Sequence, residues 1–94
     1  MRKISEQAAD AFMNGSDYIN NNTKVIVNST CVEMYLHRNL IAKRFGSSIK
    51  ISNARWFSNV TKERLNSIPG VSVSQCKGIW YLNGKEWDGS WIEI

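Results

Sequence analysis

His37 is the sole histidine in the 94-residue chain, and it stands beside Arg38 in a stretch that reads as a turn. A zinc site needs three or four ligands, and no cysteine, aspartate or glutamate adjoins His37 in sequence. A general base needs an orienting partner and a nucleophile, and neither is suggested nearby. Glu86 and Asp88 are two positions apart, so a regular strand would project both to one side. Hard cations take such oxygens, but beside a tight turn this pair reads as solvated carboxylates. No serine lies in a Gly-x-Ser-x-Gly elbow. No Gly-x-x-x-x-Gly-Lys-Ser/Thr phosphate loop occurs. Cys31 and Cys76 have neither metal spacing nor the density of a disulfide scaffold, and read as reduced thiols at strand positions. The expectation is a protein that is not an enzyme, with no metal and no cofactor, acting by binding.

The charge layout says where binding would occur. Net charge is +4. Residues 1–23 carry −1 and residues 78–94 carry −2, whereas residues 24–77 hold nine basic residues against Glu33 and Glu63, a net +7. A basic centre between acidic ends points to an anionic partner. The residues singled out are Arg38, Lys43, Arg44, Lys50 and Arg55, with Tyr35 as a stacking platform. Lys50 points away from its apolar neighbours Ile49 and Ile51. If Lys43 or Arg44 and Arg55 share its side, a basic stripe crosses the sheet. A basic, aromatic sheet face suits single-stranded nucleic acid. The same face also protects sheet edges from aggregation merely by being charged.

These side chains must be held by the following elements. Ile4, Ala8, Ala11 and Phe12 recur at helical spacing, and Asn14-Gly15 supplies a stop, which predicts a helix over 3–14. Residues 15–23 read as a polar connector anchored by Tyr18 and Ile19. Strands are predicted at 24–27, 31–36, 40–45 and 49–52, separated by turns at 28–30, 37–39 and 46–48. Val32, Met34 and Leu36 alternate with Cys31, Glu33 and Tyr35. Short loops imply an antiparallel meander. Ser58 or Asn59 caps a second helix, with Val60, Leu65 and Ile68 inward, polar Lys62, Glu63 and Arg64, and a stop at Pro69-Gly70. Strands follow at 71–75, 79–82, 85–87 and 91–94. Asn83-Gly84 forms the most characteristic hairpin turn. The predicted fold is α+β: one domain over 1–94, with six or seven short antiparallel strands and two helices on one face.

Apolar residues make up 43% and charged residues 21% of the chain, which suits a globular domain. Trp56, Trp80, Trp87 and Trp91 are expected to supply core area, with a surplus tryptophan at the surface as a protein-binding anchor. No apolar run reaches bilayer length, and no apolar stretch follows Arg2 and Lys3 as in a signal peptide. The sequons at Asn21, Asn28 and Asn59 would matter only in a secreted protein.

Three stretches carry a family resemblance: residues 34–42 (Met-Tyr-Leu-His-Arg-Asn-Leu-Ile-Ala), 61–71 (Thr-Lys-Glu-Arg-Leu-Asn-Ser-Ile-Pro-Gly-Val) and 77–89 (Lys-Gly-Ile-Trp-Tyr-Leu-Asn-Gly-Lys-Glu-Trp-Asp-Gly). In that order they resemble a family of small accessory proteins of tailed bacteriophages. The turn at Arg38 often carries glycine in similar sequences, so a basic side chain there is notable. The family carries no assigned catalytic residues, so no site transfers. The resemblance implies a phage product in the cytoplasm of a bacterial host. The size and source implied are shared with inhibitors of host defence, including anti-CRISPR proteins. The expected function is therefore occlusion of a host protein or nucleoprotein through the basic face, with electrostatics setting the on-rate. The alternatives are a nucleic-acid-binding accessory protein using that face and a protein that sequesters a nucleotide signal. A homodimer remains open, and no membrane partner is expected.

Overall fold

The computed structural model describes residues 3–55 and 57–94. Arg2 and Trp56, which entered the expectations above, lie outside the described residues. Helix α1 spans Lys3–Asn14 and buries Ser5, Ala8, Ala9, Ala11 and Phe12 along one face. Gly15 ends it in left-handed backbone at φ 71°. The Arg44 Nε–H donates to the Phe12 carbonyl at 2.9 Å, satisfying one acceptor that a helix end leaves open.

Strands β1 (Tyr18–Asn20), β2 (Thr23–Val27), β3 (Val32–Leu36), β4 (Asn39–Phe45) and β5 (Ser48–Ile51) form a meander, of which β2 to β5 were expected. Helix α2 (Asn59–Asn66) follows, then β6 (Val73–Cys76), β7 (Ile79–Leu82), β8 (Lys85–Glu86) and β9 (Ile92–Glu93). One antiparallel sheet runs in the order β1-β2-β3-β4-β5-β9, and a smaller one in the order β6-β7-β8. The architecture is α+β, as the periodicities imply, but the strands divide between two sheets. The division occurs at Asp88-Gly89. The Asn53 N–H and the Ser52 hydroxyl both donate to the Gly89 carbonyl, at 3.0 and 2.9 Å. These bonds carry the chain across to β5, where Glu93 pairs with Lys50 and Ile92 with Ile51.

β1 lies inside what reads as a polar connector. It is an edge strand paired with β2, with Ile19 opposite Lys24. In β3, Val32, Met34 and Leu36 are buried, as the alternation predicts. A bulge sits where Met34 pairs with Ala42 but Tyr35 pairs with Leu40. Ile41 is the extra residue and is 1% exposed, so the bulge lets β4 bury consecutive side chains. The His37-Arg38 turn joining β3 to β4 has both residues at positive φ, 49° and 69°. Asn83-Gly84 does the same at 51° and 86°, as a type I′ hairpin requires.

The core lies between the inner face of the large sheet, α1 and the second sheet. It includes Phe12, Val25, Met34, Ile51, Leu65, Ile68, Trp80, Leu82 and Trp87. Helix α2 packs against α1 and β6. Ser58 is its N-cap, accepting from the Thr61 N–H at 3.1 Å. Arg64 corrects the expectation of a polar outer side for α2, because it is only 1% exposed. Cys31 is half-buried just ahead of β3, and Cys76 is exposed at the end of β6; both are free thiols.

Candidate functional site

The pleat of the large sheet turns alternate residues away from the core, and two rows of outward side chains result. One row crosses β2 to β9 as Ile26, Glu33, Lys43, Lys50 and Glu93, each paired in register with the next. Its two lysines sit side by side, but each also has a glutamate directly opposite on the other flank. The Lys43 ammonium lies 4.8 Å from the centroid of the Trp91 ring, a cation–π contact. This row is charge-balanced.

The second row crosses β1 to β4 as Ile19, Lys24, Tyr35 and Leu40. Two turns, Asn21-Asn22 and His37-Arg38, rise at its end. Together they form an open groove of about 560 Å³ lined chiefly by Ile19, Lys24, Ile26, Tyr35, His37 and Arg38. Ile19 is 74% exposed, the most exposed large apolar side chain among the described residues. The groove thus combines an apolar wall with the two cations Lys24 and Arg38. The Tyr35 hydroxyl donates to Glu33 Oε1 at 3.3 Å. Burial first, and then the neighbouring Glu33 carboxylate, raise the Tyr35 phenol above its usual value of 10.0, so it is a neutral donor at physiological pH.

A buried polar network fixes one wall of this groove. Arg64 Nε–H donates to Thr23 Oγ1 at 2.8 Å, one terminal nitrogen donates to Ser5 Oγ at 2.7 Å, and the other reaches Asn22 Oδ1 at 3.4 Å. Ser5 donates onward to Glu63 and Thr23 to Asn22, both at 2.9 Å. The Asn22 amide lies 3.5 Å from His37 Nε2. One guanidinium thereby ties α1 and α2 to the β1–β2 turn, and that turn to the neighbouring His37-Arg38 turn.

The six residues singled out in sequence are dispersed over four settings. Tyr35 and Arg38 come together in the groove. Lys43 and Lys50 belong to the charge-balanced row. Arg44 turns to the helix side, where it donates to the Phe12 and Gly46 carbonyls at 2.9 Å each. Arg55 lies beyond β5, in a second cleft with Trp91. No single stripe joins Arg38, Lys43, Arg44, Lys50 and Arg55. Sequence reasoning missed Lys24, although it alternates with buried Thr23 and Val25, and it missed Ile19, whose strand was not foreseen.

A family model, the Kyanoviridae Gp96 protein, matches residues 1–93. The chain belongs to the Kyanoviridae Gp96 family. That is a phage family, in keeping with the resemblance carried by the three sequence stretches. No curated protein and no solved structure matches the chain. In this Gp96-family chain, no helix among the described residues is long and apolar enough to cross a membrane. No three His, Cys, Asp or Glu side chains among the described residues are placed to hold a metal ion.

Proposed function

We propose that this phage protein works by binding rather than catalysis, and that it inhibits a host defence component by seating an acidic segment of that protein in the Lys24–Arg38 groove. The observation that carries the reading is the convergence of Lys24, Arg38, Tyr35 and Ile19 on one open groove. Tyrosine and arginine are two of the residues in which protein-binding hot spots are enriched. The cations would steer an acidic partner and set its register, while Ile19 and Tyr35 would contribute contact area. Substituting such a groove residue would weaken the complex without disturbing the core beneath it.

A protein partner suits the surface better than a nucleic acid. Phosphate recognition along a strand needs a continuous basic track with exposed stacking rings. Beyond the groove, the outer face sets the adjacent Lys43 and Lys50 between Glu33 and Glu93, so its charge is balanced. Tyr35 is half-buried and engaged with Glu33. The test is capture from host lysate on the immobilised protein, followed by rebinding of the purified captured protein. Lys24→Glu with Arg38→Glu should abolish rebinding, and Lys43→Glu with Lys50→Glu should leave it intact. The reverse pattern sinks the reading. Capture of nucleic acid, with affinity falling steeply between about 50 and 200 mM salt, replaces it with the nucleic-acid alternative.

A further inference from the structure

A second cleft lies away from the groove, between the segment after β5 and the segment before β9. It measures about 490 Å³, and its lining includes Ser52, Asn53, Arg55, Asp88, Ser90 and Trp91. That volume falls in the range of small-molecule sites. The two segments are locked together by the Asn53 N–H and Ser52 hydroxyl bonds to the Gly89 carbonyl. Gly89 has no side chain to spare there, because a Cβ would overlap the Asn53 amide. The cleft is therefore a built feature with a rigid floor.

Three groups face it with complementary chemistry. Trp91 is 44% exposed, whereas Trp80 and Trp87 are 2% and 6% exposed in the core. Lys43 covers the Trp91 ring but does not line the cleft. Arg55 follows Ala54 in left-handed backbone, at φ 66° and 53°, and its N–H donates to Asn53 Oδ1 at 2.8 Å. Its guanidinium has no hydrogen-bond or ion-pair partner among the described residues, and neither group contributes to the core. The Asp88 carboxylate accepts from the Ser90 N–H at 2.9 Å and, having roughly four acceptor sites, keeps others open. Hydrogen bonds from Ser90, its hydroxyl first and its backbone N–H second, hold Asp88 below the usual carboxylate range, so it stays ionised.

We infer that this cleft binds a guanine nucleotide, with the base stacked on Trp91, its N–H edge donating to Asp88, and its phosphate on Arg55. A flat aromatic surface accepts any base. The carboxylate makes the choice among purines. Guanine presents two neighbouring N–H donors on its pairing edge, whereas adenine presents a ring nitrogen acceptor that a carboxylate repels. A guanidinium matches a phosphate through paired N–H donors. The inference stands on different residues from the protein-binding groove, so either can fail alone.

The experiment is a titration of the ¹⁵N-labelled full chain with GMP, AMP and guanosine, following the Trp91 indole N–H. GMP should give a saturable shift. AMP and guanosine should each bind at least roughly tenfold more weakly, the cost of losing a charge-assisted pairing. Asp88→Asn should erase the preference for GMP over AMP, and Trp91→Ala should abolish the shift of cleft residues in a chain whose spectrum remains dispersed. Lys85→Glu, exposed on β8 and outside both clefts, should leave GMP binding unchanged. The inference is overturned if no nucleotide gives a saturable shift, if AMP matches GMP on the unsubstituted chain, or if Asp88→Asn keeps the preference intact.

Discussion

Replacing Arg64 with alanine should damage the fold more than replacing it with methionine. Arg64 is 1% exposed and donates to Thr23, Ser5 and Asn22, with Glu63 Oε1 at 3.4 Å. Thr23 and Ser5 are themselves 1% and 0% exposed, so water does not replace the guanidinium easily. Truncation removes charge-assisted hydrogen bonds worth about 1.5–3 kcal/mol each and opens a cavity between α1, α2 and β2. Removing one partner of such a buried arrangement costs about 3–5 kcal/mol. A chain this size has on the order of 5–14 kcal/mol in total, so Arg64→Ala should lower Tm by roughly 15–30 °C. Methionine refills most of the space. Ser5 still donates to Glu63, and Thr23 still donates to Asn22, so no hydroxyl proton is stranded. Arg64→Met loses the same hydrogen bonds but leaves little cavity, so it should cost about 1–2 kcal/mol less than alanine. Urea denaturation of the three chains, read by circular dichroism, makes the comparison. An alanine variant within about 1 kcal/mol of the parent, or a methionine variant as damaged as alanine, would refute the reasoning.

Other outcomes follow from single contacts. Gly89→Ala should cost more than about 2 kcal/mol, since left-handed backbone already penalises a Cβ by roughly 1–2 kcal/mol and here the Cβ also meets Asn53; chemical denaturation measures it. Ser58→Ala should cost about 1 kcal/mol through loss of the α2 cap, seen the same way. Tyr35 should titrate above 10.0 in the folded chain by ultraviolet absorbance, and Glu33→Gln should lower that value only in part, because burial is the larger cause. A raised folded value favours the neutral phenol. The stability contributed by Tyr35 is then complete below pH 10.0 and is lost as pH rises through the folded value.

Much of the scaffold is legible in the residues. Helix α1 follows from alanines and Phe12 at helical spacing, and the β7–β8 hairpin from Asn83-Gly84. The alternation of Ile49, Lys50 and Ile51 gives β5 its inward and outward sides, and Ser58 marks the start of α2. The rest depends on partners distant in sequence. β1 is a strand because β2 supplies its hydrogen bonds, and its Tyr-Ile-Asn content has no periodicity of its own. β9 leaves the hairpin because Ser52 and Asn53 capture the Gly89 carbonyl, a contact across 37 positions. Arg64 reads as a solvent residue until Ser5, Asn22 and Thr23 are seen around it.

The candidate site was legible to a lesser degree. Arg38 and Tyr35 converge because β3 runs directly into the His37-Arg38 turn, which local sequence shows. Lys24 and Ile19 join them only through the β1–β2–β3 register. Arg44 lies one residue from Lys43 and so must point to the opposite face, where it caps α1. The basic stripe fails for that reason and because Glu33 and Glu93 stand in register beside Lys43 and Lys50.

Site-specific photocrosslinking locates the docking surface most directly. A photoreactive residue at Ile19, in the groove, is compared with one at Ile79, exposed on β7 of the other sheet, during expression in host cells. Position 19 should join to one host protein at an acidic segment, and Lys24→Glu with Arg38→Glu should remove that product. Crosslinks arising from position 79 alone, or from position 19 undiminished by both charge reversals, would contradict the groove as the place where this protein meets its partner.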